Sequence, residues 1–227
     1  MEKRQRITNE NVKELFGSPY IRVTDLQYAP GKHYYNATRR KPGDLAAVKT
    51  DEEFQVMLPD AVSCIVILAA PGEEEKLLLS YEFRYPAGRF LLSVPAGLID
   101  SGDKDAENPI VTTAVREIQE ETGLLVRETD QVTVVNPLLF STPGMTDESN
   151  ALVCVVLRAP DMGLLSQEGA TGSEQFDGFA LLTRSDALEA LGKGRDERGN
   201  FYSMYTWAAL MYFVSGIWKE EGQGKRD

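Results

Sequence analysis

Three glutamates, Glu117, Glu120 and Glu121, lie within five consecutive positions of the 227-residue chain. If this segment is a helix, their side chains share one face, because residues three and four apart are neighbours on a helix surface. Like charges at these spacings destabilise a helix by roughly 0.2–0.5 kcal/mol per pair, and the C-terminal end of a helix disfavours negative charge. A divalent cation would convert this repulsion into coordination, since hard cations prefer carboxylate oxygens. A solvated acidic face is the alternative interpretation.

The segment around the glutamates carries signals for both ends of a helix. Asn108 suits the N-cap, Pro109 suits the first helical position, and Gly123 suits the position just past the end. At about 100° per residue, the small and apolar residues collect on the face opposite the glutamates. They are Val111, Ala114, Val115, Ile118 and Thr122. We therefore expect a helix from Pro109 up to Gly123 that packs its apolar face on a sheet.

The stretch from Arg116 to Leu124, REIQEETGL, follows Gly97 in a pattern that resembles the Nudix box. That box consists of a glycine, five residues, a glutamate, seven residues, and then Arg-Glu-apolar-x-Glu-Glu-x-Gly-apolar. The second half matches at every fixed position. The first half has five extra residues before Arg116, so Asp103 stands where the first glutamate belongs, with Glu107 as the alternative.

The resemblance implies the Nudix fold, an α/β fold of the α+β type in which a mixed β-sheet is sandwiched between helices, here with a small N-terminal β appendage. It also implies hydrolysis of a nucleoside diphosphate linked to another group, with Mg²⁺ as cofactor and Mn²⁺ as a substitute. Under this resemblance Glu117 and Glu121 are metal ligands, and Glu120 is a ligand or lies just behind one. The carbonyl of Ala96 completes the metal site, and Arg116 orients Glu117 through a charge-assisted hydrogen bond.

Two further stretches resemble the ADP-ribose pyrophosphatase branch of the family: YEFRYPAGRFLLSVPAGLID before the helix and STPGMTDE after it. They imply conversion of ADP-ribose to AMP and ribose 5-phosphate. The implied substrate-binding residues are Arg39, Arg40, Arg84, Gly97 and Pro143. In this branch the arginines at 39 and 40 would reach the substrate from the second subunit of a homodimer. The alternatives are a structural or surface arginine at position 84 and a solvated strand end at 39 and 40.

The residue that activates water lies, in this branch, on a loop before the last strand. Here that loop is TGSEQFDG, and Glu174 is the glutamate in it. Asp177 is the second candidate, Glu168 lies further upstream, and Glu120 has the position that serves as the base in some family members. His33, the single histidine, lies far from the box in sequence and is not expected to be the base.

The predicted elements divide the chain into an N-terminal β-hairpin appendage (1–57), a hydrolase domain (58–218) and a disordered tail (219–227). Residues 1–18 are predicted to be helical or loosely structured, and a hairpin follows around the turn APGK. The hairpin is too small to bury a core of its own, so dimerisation is its expected task. Strands and helices alternate irregularly from residue 58 onward, which argues against a doubly wound parallel sheet.

Composition weighs against several other functions. The net charge of −11 argues against nucleic-acid binding, because phosphate contacts need a basic face. The first residues lack the apolar core of a secretory signal, and the longest apolar run is shorter than the roughly 20 residues that span a bilayer. Cys64 and Cys154 lie in apolar runs, which is typical of buried thiols. We expect a cytoplasmic protein with no membrane or nucleic-acid partner.

Three functions remain open at this point. The first is ADP-ribose hydrolysis, and the second is hydrolysis of another nucleotide sugar such as ADP-glucose or GDP-mannose, because the box recognises only the pyrophosphate. The third is a domain that binds ADP-ribose without catalysis. The presence of Arg116, Glu117, Glu120 and Glu121 argues against this last function.

Overall fold

The structure is a computed structural model that describes residues 6–169 and 174–219. Its chain separates into two units. The first unit contains Met1–Asp60 and also Leu138–Asn150, and the second contains Ala61–Pro137 and Ala151–Asp227. The predicted disordered tail, 219–227, lies outside the described residues except for Lys219.

A three-stranded antiparallel sheet forms most of the first unit, with the strands in the order β1-β2-β3. The elements of this unit are β1 (Val12–Gly17), β2 (Arg22–Ala29), β3 (Lys32–Thr38) and α1 (Asp51–Gln55). The predicted hairpin is β2 and β3, and Gly31 takes the positive φ of 67° that its tight turn requires. The prediction for residues 1–18 was wrong where it covers β1, because pairing with β2 extends that segment as a strand.

Within the described residues, a seven-stranded sheet and four α-helices form the second unit. The last residues of β8 and the first residues of β9 lie in the range 138–150, which belongs to the first unit. The elements are β4 (Ala61–Ala69), β5 (Lys76–Arg84), β6 (Arg89–Ser93), β7 (Ala96–Leu98), α2 (Ser101–Lys104), α3 (Pro109–Thr122), β8 (Gln131–Phe140), β9 (Ser149–Arg158), β10 (Phe176–Leu182), α4 (Arg184–Lys193) and α5 (Met204–Ser215). The strand order is β10-β5-β4-β9-β8, with β6 paired to β5 and β7 paired to β4.

Strand β4 is buried on both faces, as expected for a strand between helical layers. Val62, Cys64 and Val66 belong to a core cluster that includes Ala114 and Ile118 of α3. Helix α5 also packs against β4 and β6, with buried residues outside that cluster. The sheet therefore has helices on both sides, and the predicted fold class is confirmed.

Both cysteines, Cys64 and Cys154, are buried thiols. Within residues 6–169 and 174–219, no helix combines the length and the apolar character that crossing a membrane requires.

Candidate active site

Helix α3 has the limits that its end signals predict. The Asn108 Oδ1 accepts a hydrogen bond from the Val111 N–H at 3.3 Å, Pro109 is the first helical residue, and Gly123 ends the helix with φ of 71°. The position of Gly123 also depends on space. A Cβ there would lie 2.2 Å from the carbonyl oxygen of Leu164, so a later segment packs closely against the helix end.

The three glutamates of α3 do not form one solvated face. Glu117 and Glu121 are 6% and 4% exposed, whereas the Glu120 side chain is 44% exposed. Burial is the largest cause that raises the pKa of Glu117, to about 7, and burial also raises the pKa of Glu121 well above its usual range. The fold therefore removes two carboxylates from water and leaves the third at the surface.

Arg116 holds this acidic group together. Its Nη1 contacts Glu117 at 2.8 Å and Glu120 at 2.9 Å, and its Nη2 donates to Asp103 at 2.8 Å and to the carbonyl of Leu98 at 3.1 Å. The predicted bond between Arg116 and Glu117 is therefore present. Several carboxylates share one guanidinium, so the cluster carries excess negative charge.

Asp103 takes the place of the first glutamate of the box. Its Oδ2 accepts hydrogen bonds from Arg116 and from the Thr113 hydroxyl, and the Arg116 bond is the main cause that lowers the pKa of Asp103. Helix α2 turns this carboxyl inward, because the Asp100 side chain caps the helix by accepting from the N–H groups of Gly102 and Asp103. The alternative residue, Glu107, is exposed.

Strand β7 provides the opposite wall of the acidic group. The N–H of Ala96 donates to Glu121 Oε1 at 3.2 Å. A Cβ on Gly97 would lie 1.8 Å from Glu117 Oε1, so any other residue here would require that carboxyl to move. The role of Gly97 in this structure is to admit Glu117. Its contact with substrate, and the metal-ligating role of the Ala96 carbonyl, stay predictions.

Sequence reasoning missed one acidic residue of this site, Glu82 on β5. Its side chain is 13% exposed, and burial raises its pKa. It pairs with Arg84 at 2.7 Å and accepts a hydrogen bond from Ser93. The charge of Glu82 is also the leading charge effect that raises the pKa of Glu121. The available signal was a lone glutamate in the apolar run KLLLSYEFR.

The candidate base Glu174 lies within electrostatic reach of the site, since its charge helps to raise the pKa of Glu82, Glu117 and Glu121. Residues 170–173 of its loop lie outside the described residues. Asp177 is exposed and lies 3.8 Å from Arg198, and Glu168 is also exposed. These charge effects favour Glu174 over Asp177 and Glu168, and its role as base stays a prediction.

The structure gives Arg40 a role that differs from the predicted one. Its guanidinium is buried in the first unit, where Nη2 donates to Asp60 at 2.9 Å, to the Ser149 hydroxyl at 3.2 Å and to the carbonyl of Leu58 at 3.3 Å. These internal partners give Arg40 a structural role in the first unit, and its role in binding substrate stays a prediction.

The other two predicted substrate residues of the first unit are accessible. Arg39 is 46% exposed and pairs with Glu148 at 3.0 Å. Pro143 is exposed in the turn after β8. Their roles stay predictions.

The residues fit a divalent cation by their chemistry. Glu82, Glu117 and Glu121 offer oxygen ligands, and burial and the charges of neighbouring glutamates raise the pKa of each, so a nearby cation would relieve an existing cost. Within the described ranges, no three His, Cys, Asp or Glu side chains are already grouped to hold a metal ion. The contacts of Glu117 with Arg116 and of Glu121 with Ala96 account for their present orientation.

Comparisons with known proteins agree with the box. The NUDIX domain family model matches residues 57–205. The chain is 30% identical over 132 residues to the ADP-sugar pyrophosphatase of Mus musculus, which covers 58% of this chain and 56% of the mouse protein. It is 26% identical over 147 residues to the ADP-ribose pyrophosphatase of Bacillus subtilis, with coverage of 65% and 70%. The chain thus spans little more than half the length of the mouse relative.

A solved structure shares the fold. The crystal structure of an ADP compounds hydrolase matches with a TM-score of 0.55 over 100% of both chains, at 18% sequence identity. At this level of identity the likeness shows the architecture alone.

Proposed function

The chain belongs to the NUDIX domain family, and on this premise we propose that it hydrolyses the pyrophosphate bond of a nucleoside diphosphate sugar, with ADP-ribose giving AMP and ribose 5-phosphate. The observation that carries the proposal is the buried pair Glu117 and Glu121 on one helix, beside a single arginine that already serves other carboxylates. The printed activities of the mouse and Bacillus relatives support the ADP-sugar class of substrate.

Glu117, Glu121 and the carbonyl of Ala96 would hold Mg²⁺, or Mn²⁺ in its place, with Glu120 beside them. A bound divalent ion supplies charge neutralisation at the pyrophosphate oxygens and lowers the pKa of a water molecule. Arg116 keeps Glu117 and Glu120 oriented, because its Nη1 contacts both carboxylates. Arg84 presents a half-exposed guanidinium that can bind a phosphate oxygen.

Glu174 is the proposed general base. Its carboxylate lies close enough to influence the buried glutamates, and the segments on either side of its loop are anchored. Before the loop, Ser166 N donates to the carbonyl of Thr122 at 2.9 Å, and after it, the carbonyl of Gln175 accepts from Phe83 N at 2.8 Å. An anchored loop can deliver a base to one position.

A homodimer is part of the proposal. The first unit exposes several large apolar side chains, which a second copy could cover. They are Leu15, Phe16, Tyr20, Ile21, Tyr34 and Tyr35. Sedimentation equilibrium should give twice the 25.2 kDa chain mass at micromolar concentration. A 25.2 kDa species would contradict it.

A substrate screen tests the proposed activity directly. ADP-ribose, ADP-glucose and GDP-mannose are each incubated with Mg²⁺, Mn²⁺ or excess EDTA, and a phosphatase releases phosphate from the products. We expect the highest kcat/KM for ADP-ribose with a divalent ion and none in EDTA. Full turnover in EDTA would refute the metal dependence. Tight binding of ADP-ribose without turnover would identify the non-catalytic alternative.

Glu174→Gln tests the base, with Asp177→Asn in the adjoining strand β10 as the matched control. We expect Glu174→Gln to lower kcat by about 10²–10⁴-fold with little change in KM, because a base acts in the transition state. Asp177→Asn should keep nearly full activity. If Glu174→Gln keeps more than about a third of the wild-type kcat, a barrier change under ~1 kcal/mol, the assignment to Glu174 is wrong.

A further inference from the structure

The row of polar side chains on β5 forms a line beside the buried glutamates. Ser80, Glu82 and Arg84 alternate with other residues and so share one face of the strand. Leu78, on the same face, packs in the α3 core cluster, which fixes that face as the one toward the box helix. Ser93 lies opposite Ser80 on β6, and its hydroxyl binds Glu82.

We propose that Glu82 is a positioning residue of this site, which holds the Arg84 guanidinium in the orientation that binds the substrate pyrophosphate. This inference rests on the proposed function. It adds to the Nudix box a residue that lies outside it.

The contacts of Glu82 suit this role. A buried carboxylate is stable only when paired and hydrogen-bonded, and Glu82 has both kinds of partner in Arg84 and Ser93. Burial raises its pKa, and the Arg84 charge and the Ser93 hydroxyl oppose that rise. The Glu82 carboxylate is therefore held in place, and its contact orients the Arg84 guanidinium.

The backbone of Arg84 is fixed as well. Its carbonyl accepts hydrogen bonds from the N–H groups of Ala87 and Gly88, each at 2.9 Å, in the turn that joins β5 to β6. Its guanidinium is 47% exposed and has five N–H donors, so the bond to Glu82 leaves donors for a ligand. Arg84 is thus held at its main chain and at one edge of its side chain, while the rest faces solvent.

An exposed ion pair with no function is the competing explanation. Such pairs contribute roughly 0–1 kcal/mol and are freely replaced. The chain offers a comparison in Glu75 and Lys219, which also lie 2.7 Å apart, with 38% exposure of Glu75. Glu82 differs from Glu75 by its burial and by its closeness to Glu121 and Glu174.

The test uses Glu82→Ala, Glu82→Gln, Arg84→Gln and the double variant Glu82→Ala with Arg84→Gln, with Glu75→Gln as control. The readouts are steady-state kinetics with ADP-ribose and Mg²⁺, and calorimetric binding of α,β-methylene ADP-ribose, which is not hydrolysed. Circular dichroism melting establishes that each variant is folded.

We expect Glu82→Ala to raise KM and the analogue Kd about tenfold, the effect of one lost charge-assisted hydrogen bond. Glu82→Gln should recover most of this loss, because its amide oxygen still accepts from Arg84. The double variant should match Arg84→Gln alone, and Glu75→Gln should match the wild type. If Glu82→Ala fails to fold, Glu82→Gln takes its place. The proposal then requires that Glu82→Gln change KM and the analogue Kd when Arg84 is present and leave them unchanged in the Arg84→Gln background.

Two results would overturn the proposal, since either means that Glu82 acts through its own charge. The first is tighter analogue binding in Glu82→Ala. The second is a double variant whose change in KM and Kd equals the product of the changes in the two single variants. A fall in kcat with KM unchanged would also overturn it. If the wild type binds the analogue but hydrolyses none of the sugars, the proposed function fails, and the binding series still tests the positioning role.

Discussion

Each of the two units places an arginine among carboxylates, a buried Arg40 in the first and a partly buried Arg116 in the second, and the two clusters differ in charge balance. In the first unit Arg40 Nη2 pairs with Asp60 and also donates to two neutral groups, the Ser149 hydroxyl and the carbonyl of Leu58. In the second unit Arg116 contacts the carboxylates of Asp103, Glu117 and Glu120 within 2.9 Å, and that of Asp100 at 3.9 Å.

Under the proposed function, this difference separates a structural group from the group that binds the cation. Asp60 also accepts hydrogen bonds from the Ser149 N–H and hydroxyl, so the balanced cluster ties distant parts of the first unit together. The Arg116 cluster instead lies near the buried Glu121 and the partly buried Glu82, and the charge of Glu82 helps to raise the pKa of Glu121. Excess buried charge is expensive in a folded protein and suits a site that receives a cation.

Among the variants that test this comparison, Glu121→Gln should have the largest effect. It removes a negative charge from the acid-rich cluster, which we define as Arg116 with Asp103, Glu117, Glu120 and Glu121. We expect kcat to fall about a thousandfold, or ~4 kcal/mol in barrier, as for loss of one main electrostatic contact. The folded-state pKa of Glu121 is raised, so its ionisation costs stability as pH rises above the usual carboxyl range. Without divalent ions at pH 8, the variant should therefore melt no lower than the wild type.

Kinetics with saturating Mg²⁺ and melting curves in EDTA check both parts of this prediction. A variant that keeps its activity would show that Glu121 is not a ligand. A variant that loses stability would show that the buried carboxylate is structural, like Asp60.

Arg40→Met should have the second largest effect, and on folding rather than catalysis. The change leaves Asp60 buried without its charge partner, which costs about 3 kcal/mol of unfolding free energy. The matched control is Lys49→Met, which breaks the pair with the exposed Asp44 and should cost at most about 1 kcal/mol. Urea denaturation measures both. An unchanged KM in folded Arg40→Met would support its structural assignment, and a large rise in KM would support the substrate role.

The two clusters also show what the sequence can and cannot predict. Local signals, the end residues of α3, predicted the helix limits, and the resemblance to the Nudix box implied the Arg116–Glu117 bond. The choice between Asp103 and Glu107 stayed open, because it depends on how α2 folds the inserted residues.

Long-range contacts account for what was missed. The burial of Arg40 depends on Ser149, 109 residues away, which belongs to a segment that joins the first unit only in the folded chain. From the sequence, Glu82 is only a residue of an apolar strand, and its place in the site becomes visible once the positions of β6 and α3 are known. In both cases the sequence shows the residue type, and only the fold shows its partner.

Gly169→Ala probes the support of the acid-rich cluster. A Cβ at this position would lie 2.4 Å from the backbone carbonyl of Glu120, so the segment before Glu174 would have to move away from α3. We expect a loss of about 1–3 kcal/mol in stability from overpacking, together with a lower kcat. Gly192→Ala is the control, since nothing lies within 4 Å of its Cβ and alanine favours a helix by roughly 1 kcal/mol. Equal kcat in the two variants would show that the close approach does not position the base.

His33→Gln should have the smallest effect and tests the first unit a second time. His33 Nδ1 lies 2.8 Å from the buried Asp25, whose pKa is lowered by hydrogen bonds from Gln27 and His33 against the opposing effect of burial. A lowered carboxyl pKa stabilises the fold above the usual carboxyl range, and this stabilisation is lost as pH falls through the folded-state value. The variant should therefore melt slightly lower than the wild type near neutral pH, and the difference should vanish in acid. Its kcat and pH–rate profile should not change, because the cluster to which we assign the chemistry contains no histidine. If the variant's pH–rate profile lost its acidic or its basic arm, His33 would take part in the mechanism. The proposed division between a structural first unit and a catalytic second unit would then be wrong.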